Sequence, residues 1–93
     1  MATQGTTTVD FGPFPGVPEA NVVITGQTGI PAGSLVEAWI LPVASADHSA
    51  DEHRVDPPRV VAGDIVAGTG FTIFALANAG RAYGLWTVAW VWN

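Results

Sequence analysis

The residues best able to do chemistry lie together in Asp47-His48-Ser49-Ala50-Asp51-Glu52-His53, which holds both histidines of the chain beside three carboxylates. Imidazole and carboxylate groups are the ligands that zinc and similar divalent ions take. They also move protons in general acid–base catalysis. His48 and His53 stand five positions apart, however, and a helix turns such a pair roughly 140° from each other. The zinc-protease spacing, two histidines four apart with a glutamate between them, is absent. His48, Asp51 and His53 are therefore weak metal candidates that only a loop could bring together. The expectation is a solvated acidic loop with no metal and no cofactor; the other reading pairs His48 or His53 with a neighbouring chain.

Other chemistries are less well supplied. The chain has no cysteine, which excludes disulfides, thiolate metal sites and cysteine nucleophiles. A hydroxyl nucleophile needs a histidine base and an orienting acid, and no serine or threonine sits in a strand–turn–helix elbow. Asp10, Glu19, Glu37 and Asp64 are isolated in sequence, so spacing assigns no carboxylate pair for glycoside hydrolysis. "GTGF" at 68–71 runs into strand residues rather than into a helix N-terminus, and so cradles no phosphate. An enzyme is not expected.

The elements that carry these residues are short and punctuated. Eleven glycines and seven prolines break up brief apolar runs, the pattern of an all-β domain. Strands are expected over Thr6–Phe11, Asn21–Thr25, Ser34–Leu41, within Arg59–Ala77, and over Tyr83–Trp92, with a turn at Asn78-Ala79-Gly80. "GPFPGVP" at 12–18 holds three prolines, cannot be helix interior, and reads as a rigid loop or arm. Residues 44–58 concentrate charge and read as an exposed loop. Ser49 followed by Glu52 has capping-box spacing, so one short helical turn can start there. "IPAGS", "VVAGD" and "IVAGT" at 30–34, 60–64 and 65–69 read as three similar turns or bulges, with glycine where a positive φ is needed. At 93 residues the chain is one domain with a modest core. The fold class is all-β: a small antiparallel β-sandwich or jelly-roll-like barrel with at most one short helical turn.

Composition narrows the partners. Charged residues make up 12% of the chain, against roughly 25% in ordinary soluble domains. The net charge is −5, and the three fixed cations, Arg54, Arg59 and Arg81, are scattered. No basic patch for nucleic acid or an anionic membrane can be built from them. No run reaches the 18 or so apolar residues of a membrane helix. "MATQGTTTVDFG" lacks the basic start and apolar stretch of a signal peptide, so synthesis in a cytoplasm is expected.

Side chains on a strand alternate between two faces. In the last strand Trp86, Val88, Trp90 and Trp92 share one face, and Leu85, Thr87, Ala89 and Val91 the other. Neither face is polar. Phe71, Ile73 and Ala75 oppose Phe74 and Leu76 in the same way, and Val36, Ala38 and Ile40 oppose Leu35, Trp39 and Leu41. A two-sheet sandwich buries one face of each sheet, so a second apolar face needs other cover. Three tryptophans bury about 450–750 Å². At about 25 cal/mol per Å² their exposure forgoes on the order of 10–20 kcal/mol, an upper bound. The expectation is that the second face meets another chain. Two alternatives stand beside it: the tryptophans fill a single thick core while smaller residues face solvent, or they form a sugar-stacking platform as in carbohydrate-binding modules.

The phrases "TTTVDFG" and "FPG" at 6–16, "GSLVEAWI" and "PVASADHSADEH" at 33–53, "VVAGDIVAGTGFTIFA" at 60–75 and "YGLWTVAWVWN" at 83–93 resemble a group of small uncharacterised proteins encoded by tailed bacteriophages. Together they cover most of the chain, and none is a catalytic signature. The resemblance implies a virion structural component made in the host bacterial cytoplasm, of the kind that studs heads and tails as symmetric trimers or hexamers. A capsid decoration (cement) protein is the first expectation and a tail or tail-fibre component the second. The expected partners are copies of the chain itself, as a trimer or higher, and a larger shell or tail protein. The expected contact residues are Trp39, Phe74, Trp86, Trp90 and Trp92, with Phe11, Phe14 and Pro15 on the arm.

Overall fold

A computed structural model describes residues 3–78 and 80–93. Six strands and one helix follow in the order β1 (Thr3–Asp10), β2 (Glu19–Ile24), β3 (Val36–Ile40), α1 (Ala50–Val55), β4 (Arg59–Val66), β5 (Gly70–Leu76) and β6 (Leu85–Trp92). They form two three-stranded antiparallel sheets, β1-β6-β3 and β2-β5-β4. The expected small all-β fold is therefore present, with the expected helical turn at Ser49. The turn expected at Asn78–Gly80 includes Ala79, which lies outside the described residues.

The two central strands, β5 and β6, are the two that carry no charged residue. A strand between two others saturates its backbone on both edges, and one inward face then completes its burial. β5 turns Phe71, Ile73 and Ala75 inward, and β6 turns Trp86, Val88 and Trp90 inward; all six are buried. Val9, Phe11, Ile24, Ile30 and Ala38 complete the core between the sheets. The two face assignments made for the last strand hold, but the tryptophan face is the inner one. Trp86 and Trp90 fill the chain's own core rather than waiting for a neighbour, which is the single-core alternative. Gly5 makes room for this, since it pairs with Trp90 and a Cβ there would stand 2.4 Å from the indole ring.

Of the two readings of residues 12–18, a loop or an arm, the segment is a loop tied to residues 81–84. Phe11 N–H donates to Gly84 O, and Val17 and Ala82 exchange both backbone hydrogen bonds, all at 3.0 Å. Arg81 Nη1 donates to Gly16 O at 2.8 Å. Phe11 itself is buried in the core, while Phe14 and Pro15 stay exposed at the tip. Residues 44–58 are mostly exposed, as expected, and carry the short helix, but they bury both histidines against one end of the sandwich. The glycine-containing repeats diverge as well. In "VVAGD" a bulge interrupts the β4 ladder between Gly63 and Val66, and the left-handed residue is Asp64 (φ 57°), not Gly63. In "IVAGT" Gly68 (φ 73°) does take that conformation in the β4–β5 turn.

Candidate functional site

The capped helix organises the histidines. Ser49 Oγ accepts from Glu52 N–H at 3.2 Å, and Glu52 Oε1 accepts from Ser49 N–H at 2.9 Å, a reciprocal capping box. His48 precedes the cap and His53 sits one turn inside. These are the two positions that a hydrophobic staple brings together across a helix start. Their ring centroids lie 6.3 Å apart, and both rings lie against Trp86. His48 stacks on the indole at 3.9 Å with 22° between planes, and His53 meets it edge-on at 5.0 Å.

Every ring nitrogen of the pair is engaged. His53 Nδ1–H donates to Ser49 O at 2.8 Å, and Nε2 accepts from Thr87 N–H at 2.8 Å. That pairing specifies the tautomer. It also satisfies a strand donor on the side where β3 has ended and only Leu41 N–H still reaches Thr87 O. His48 Nε2 lies 2.6 Å from Tyr83 O, and Nδ1 lies 3.0 Å from Glu52 Oε2. Tyr83 O also accepts from Trp86 Nε1–H at 3.2 Å. The Ser49 N–H, and after it the His48 ring, hold the half-exposed Glu52 carboxyl below its ordinary range.

These bonds decide what the cluster can do. A metal ligand offers a lone pair, and the His53 acceptor nitrogen already holds Thr87 N–H. Asp51 points to solvent and pairs with Arg54. His48, Asp51 and His53 therefore do not converge, and among the described residues no group of three or more His, Cys, Asp or Glu could hold a metal ion. The nearby hydroxyls are also committed. Ser45 Oγ donates to Leu85 O and accepts from His48 N–H, and Ser49 Oγ caps the helix. A cleft of about 240 Å³ opens beside the cluster, lined by His48, Glu52, Arg81, Tyr83 and Trp86 among others. Its acid and its imidazole bind each other, so the arrangement locks the end of the sandwich.

The outer sheet faces are different in kind. Strand register places three rows across β2-β5-β4: Glu19–Leu76–Arg59, Asn21–Phe74–Val61 and Val23–Thr72–Gly63. Val23 is 60% exposed, Val61 56% and Phe74 38%. On the other sheet the outer rows are Thr6–Ala89–Trp39 and Gln4–Val91–Glu37, and Trp39 is 43% exposed.

Of the expected contact residues, Trp39 and Phe74 do lie on outer faces, but on different sheets, so they make no common patch. Trp86 and Trp90 are in the core. Trp92 is half-buried, with its indole N–H donating to Gln27 Oε1 at 2.9 Å. Phe11 is withdrawn into the core, while Phe14 is exposed, its ring edge against Tyr83. Sequence reasoning missed Val23 and Val61, although the period-two alternation of "NVVIT" and "RVVAG" carries the signal. It also missed the opposed charges of Glu19 and Arg59, which only register brings into one row.

No protein-family model, curated protein or solved structure matches this chain.

Proposed function

We propose that this chain is a non-enzymatic structural protein whose work is adhesion between copies of itself and to a larger shell protein. In line with the sequence resemblance, its place is a tailed-phage virion, as a capsid decoration protein before a tail component. The observation that carries the reading is the set of exposed apolar side chains on the outer face of β2-β5-β4, with Val23 and Val61 more than half exposed beside Phe74. In a chain with so few charged side chains, such a face gains most by closing against another surface. The buried, fully bonded histidines support the reading from the other direction, because they fix the fold and leave no free base.

Sedimentation velocity on the purified wild-type chain tests self-assembly, with an oligomer as the expected result. A single monomeric boundary at every concentration up to the millimolar range would sink the proposal. Mass spectrometry of separated heads and tails tests placement, and hundreds of copies per head are expected for a decoration protein.

A second reading, a carbohydrate-binding module, is favoured by one feature. Trp39 is exposed on an outer sheet face, in one row with Thr6 and beside the row that holds Gln4 and Glu37. Sugar rings stack on such a surface. A saturable tryptophan-fluorescence change on titration with a defined glycan, abolished by Trp39→Ala, would establish it; an unchanged signal across glycans would remove it.

A further inference from the structure

We infer that the outer face of β2-β5-β4 is a self-complementary contact for a second copy of this chain, related by a twofold axis running along β5. This rests on the self-assembly reading above and specifies its surface and geometry.

Three rows of side chains cross this face. In the first, Glu19 on β2 and Arg59 on β4 flank Leu76, so an acid stands on one flank of this row and a base on the other. Laying a second copy face to face by rotation about β5 exchanges the flanks. Glu19 then lies over Arg59 of the second copy, and the same pair forms again on the opposite flank. In the third row Val23 and Gly63 flank Thr72. The same rotation sets Val23 over the second copy's Gly63, where a side chain would meet nothing within 4 Å. The branched residue thus faces an empty position, again twice. Phe74 and Leu76 lie near the axis and meet their own copies.

The other twofold orientation, with its axis across the strands, is disfavoured by the same residues. It would place Glu19 over Val23 and Arg59 over Gly63, taking each charge out of water with no opposite charge to meet. Facing sheets pack about 10 Å apart with strands within about 30° of aligned. A contact of this kind is isologous, so each residue pair occurs twice and each substitution is felt twice.

The test is a charge exchange read by sedimentation velocity on the full chain. Glu19→Arg and Arg59→Glu, each alone, set like charges opposite one another at two places and should weaken self-association by about tenfold or more. The double variant E19R/R59E restores opposite charges and should return the association constant to within about threefold of wild type, since the exchange is then complete. Gly63→Leu fills the space that receives Val23 and should weaken association in either charge background. All these positions lie on the outer face, so circular dichroism should show an unchanged fold. An oligomer that ignores the single reversals, or a double variant as weak as the singles, overturns this contact and leaves self-assembly standing. A wild-type chain that stays monomeric overturns both.

Discussion

Replacing His53 by alanine should destabilise the fold severely, and the magnitude follows from its bonds. The ring is 1% exposed. It accepts from Thr87 N–H and donates to Ser49 O. Alanine leaves the Thr87 donor without its acceptor at the end of β3, which costs about 1–3 kcal/mol. It also opens a void against Trp86, and removal of a large buried side chain costs about 2–5 kcal/mol. The terms overlap, so the expected loss is about 3–5 kcal/mol. A domain of this size has about 5–14 kcal/mol in total, so about a fifth or more of the stability disappears. Urea unfolding followed by tryptophan fluorescence measures this directly, and hydrogen exchange at the Thr87 amide reports the local bond. The midpoint should fall with the slope unchanged, and Thr87 should exchange faster. A loss below about 1 kcal/mol with Thr87 still protected would refute the structural role assigned to His53.

Other outcomes follow from the same contacts. Gly5→Val should drive a side chain into the Trp90 ring, destabilise by about 1–3 kcal/mol or more, and alter the near-ultraviolet circular dichroism. Glu52→Gln tests the acid limb of stability. The folded-state carboxyl is lowered by the Ser49 N–H and His48, so its contribution is present above the unfolded value and is lost as pH falls through the folded one. The variant should therefore be less stable than wild type at neutral pH, with the difference shrinking on acidification; a constant difference across pH would contradict the assignment. Ser49→Ala removes the reciprocal cap and should cost about 1 kcal/mol in thermal or urea unfolding.

The parts of the fold legible in the sequence are those with local causes. Alternation in "LWTVAWVW" sorts Trp86, Val88, Trp90 and Trp92 from their neighbours because a strand has a period of two wherever it lies. The capping box from Ser49 to Glu52 spans four residues and needs no partner elsewhere. What alternation leaves open is which face turns inward. That choice belongs to the whole sheet, and here it sent the tryptophans to the core. The histidines were hidden for a similar reason. Their burial depends on Tyr83 and Thr87, 35 and 34 positions away, so the segment read as solvated from its own composition. The rotation argument that separated His48 from His53 holds only inside a helix, and His48 lies before the first turn. Glu19 and Arg59 looked isolated because they share a row only through the register of β5.

The pairing of β1 with β6 bears on how the molecule is made. Thr3 lies opposite Trp92, and among the described residues β3 pairs with β6 alone. Neither β1 nor β3 has an edge to bond to until the ribosome has produced the tryptophan-rich strand. The β4–β5 hairpin and its neighbour β2 are translated earlier and already contain a complete sheet. Closure of the sandwich therefore waits for the last strand, and distant pairings of this kind are slow. Until then the inward side of the finished sheet, with Phe71 and Ile73, is open to water and to other nascent chains. Low temperature and slow expression should raise the yield of soluble protein, because they reduce the number of half-closed molecules present at once.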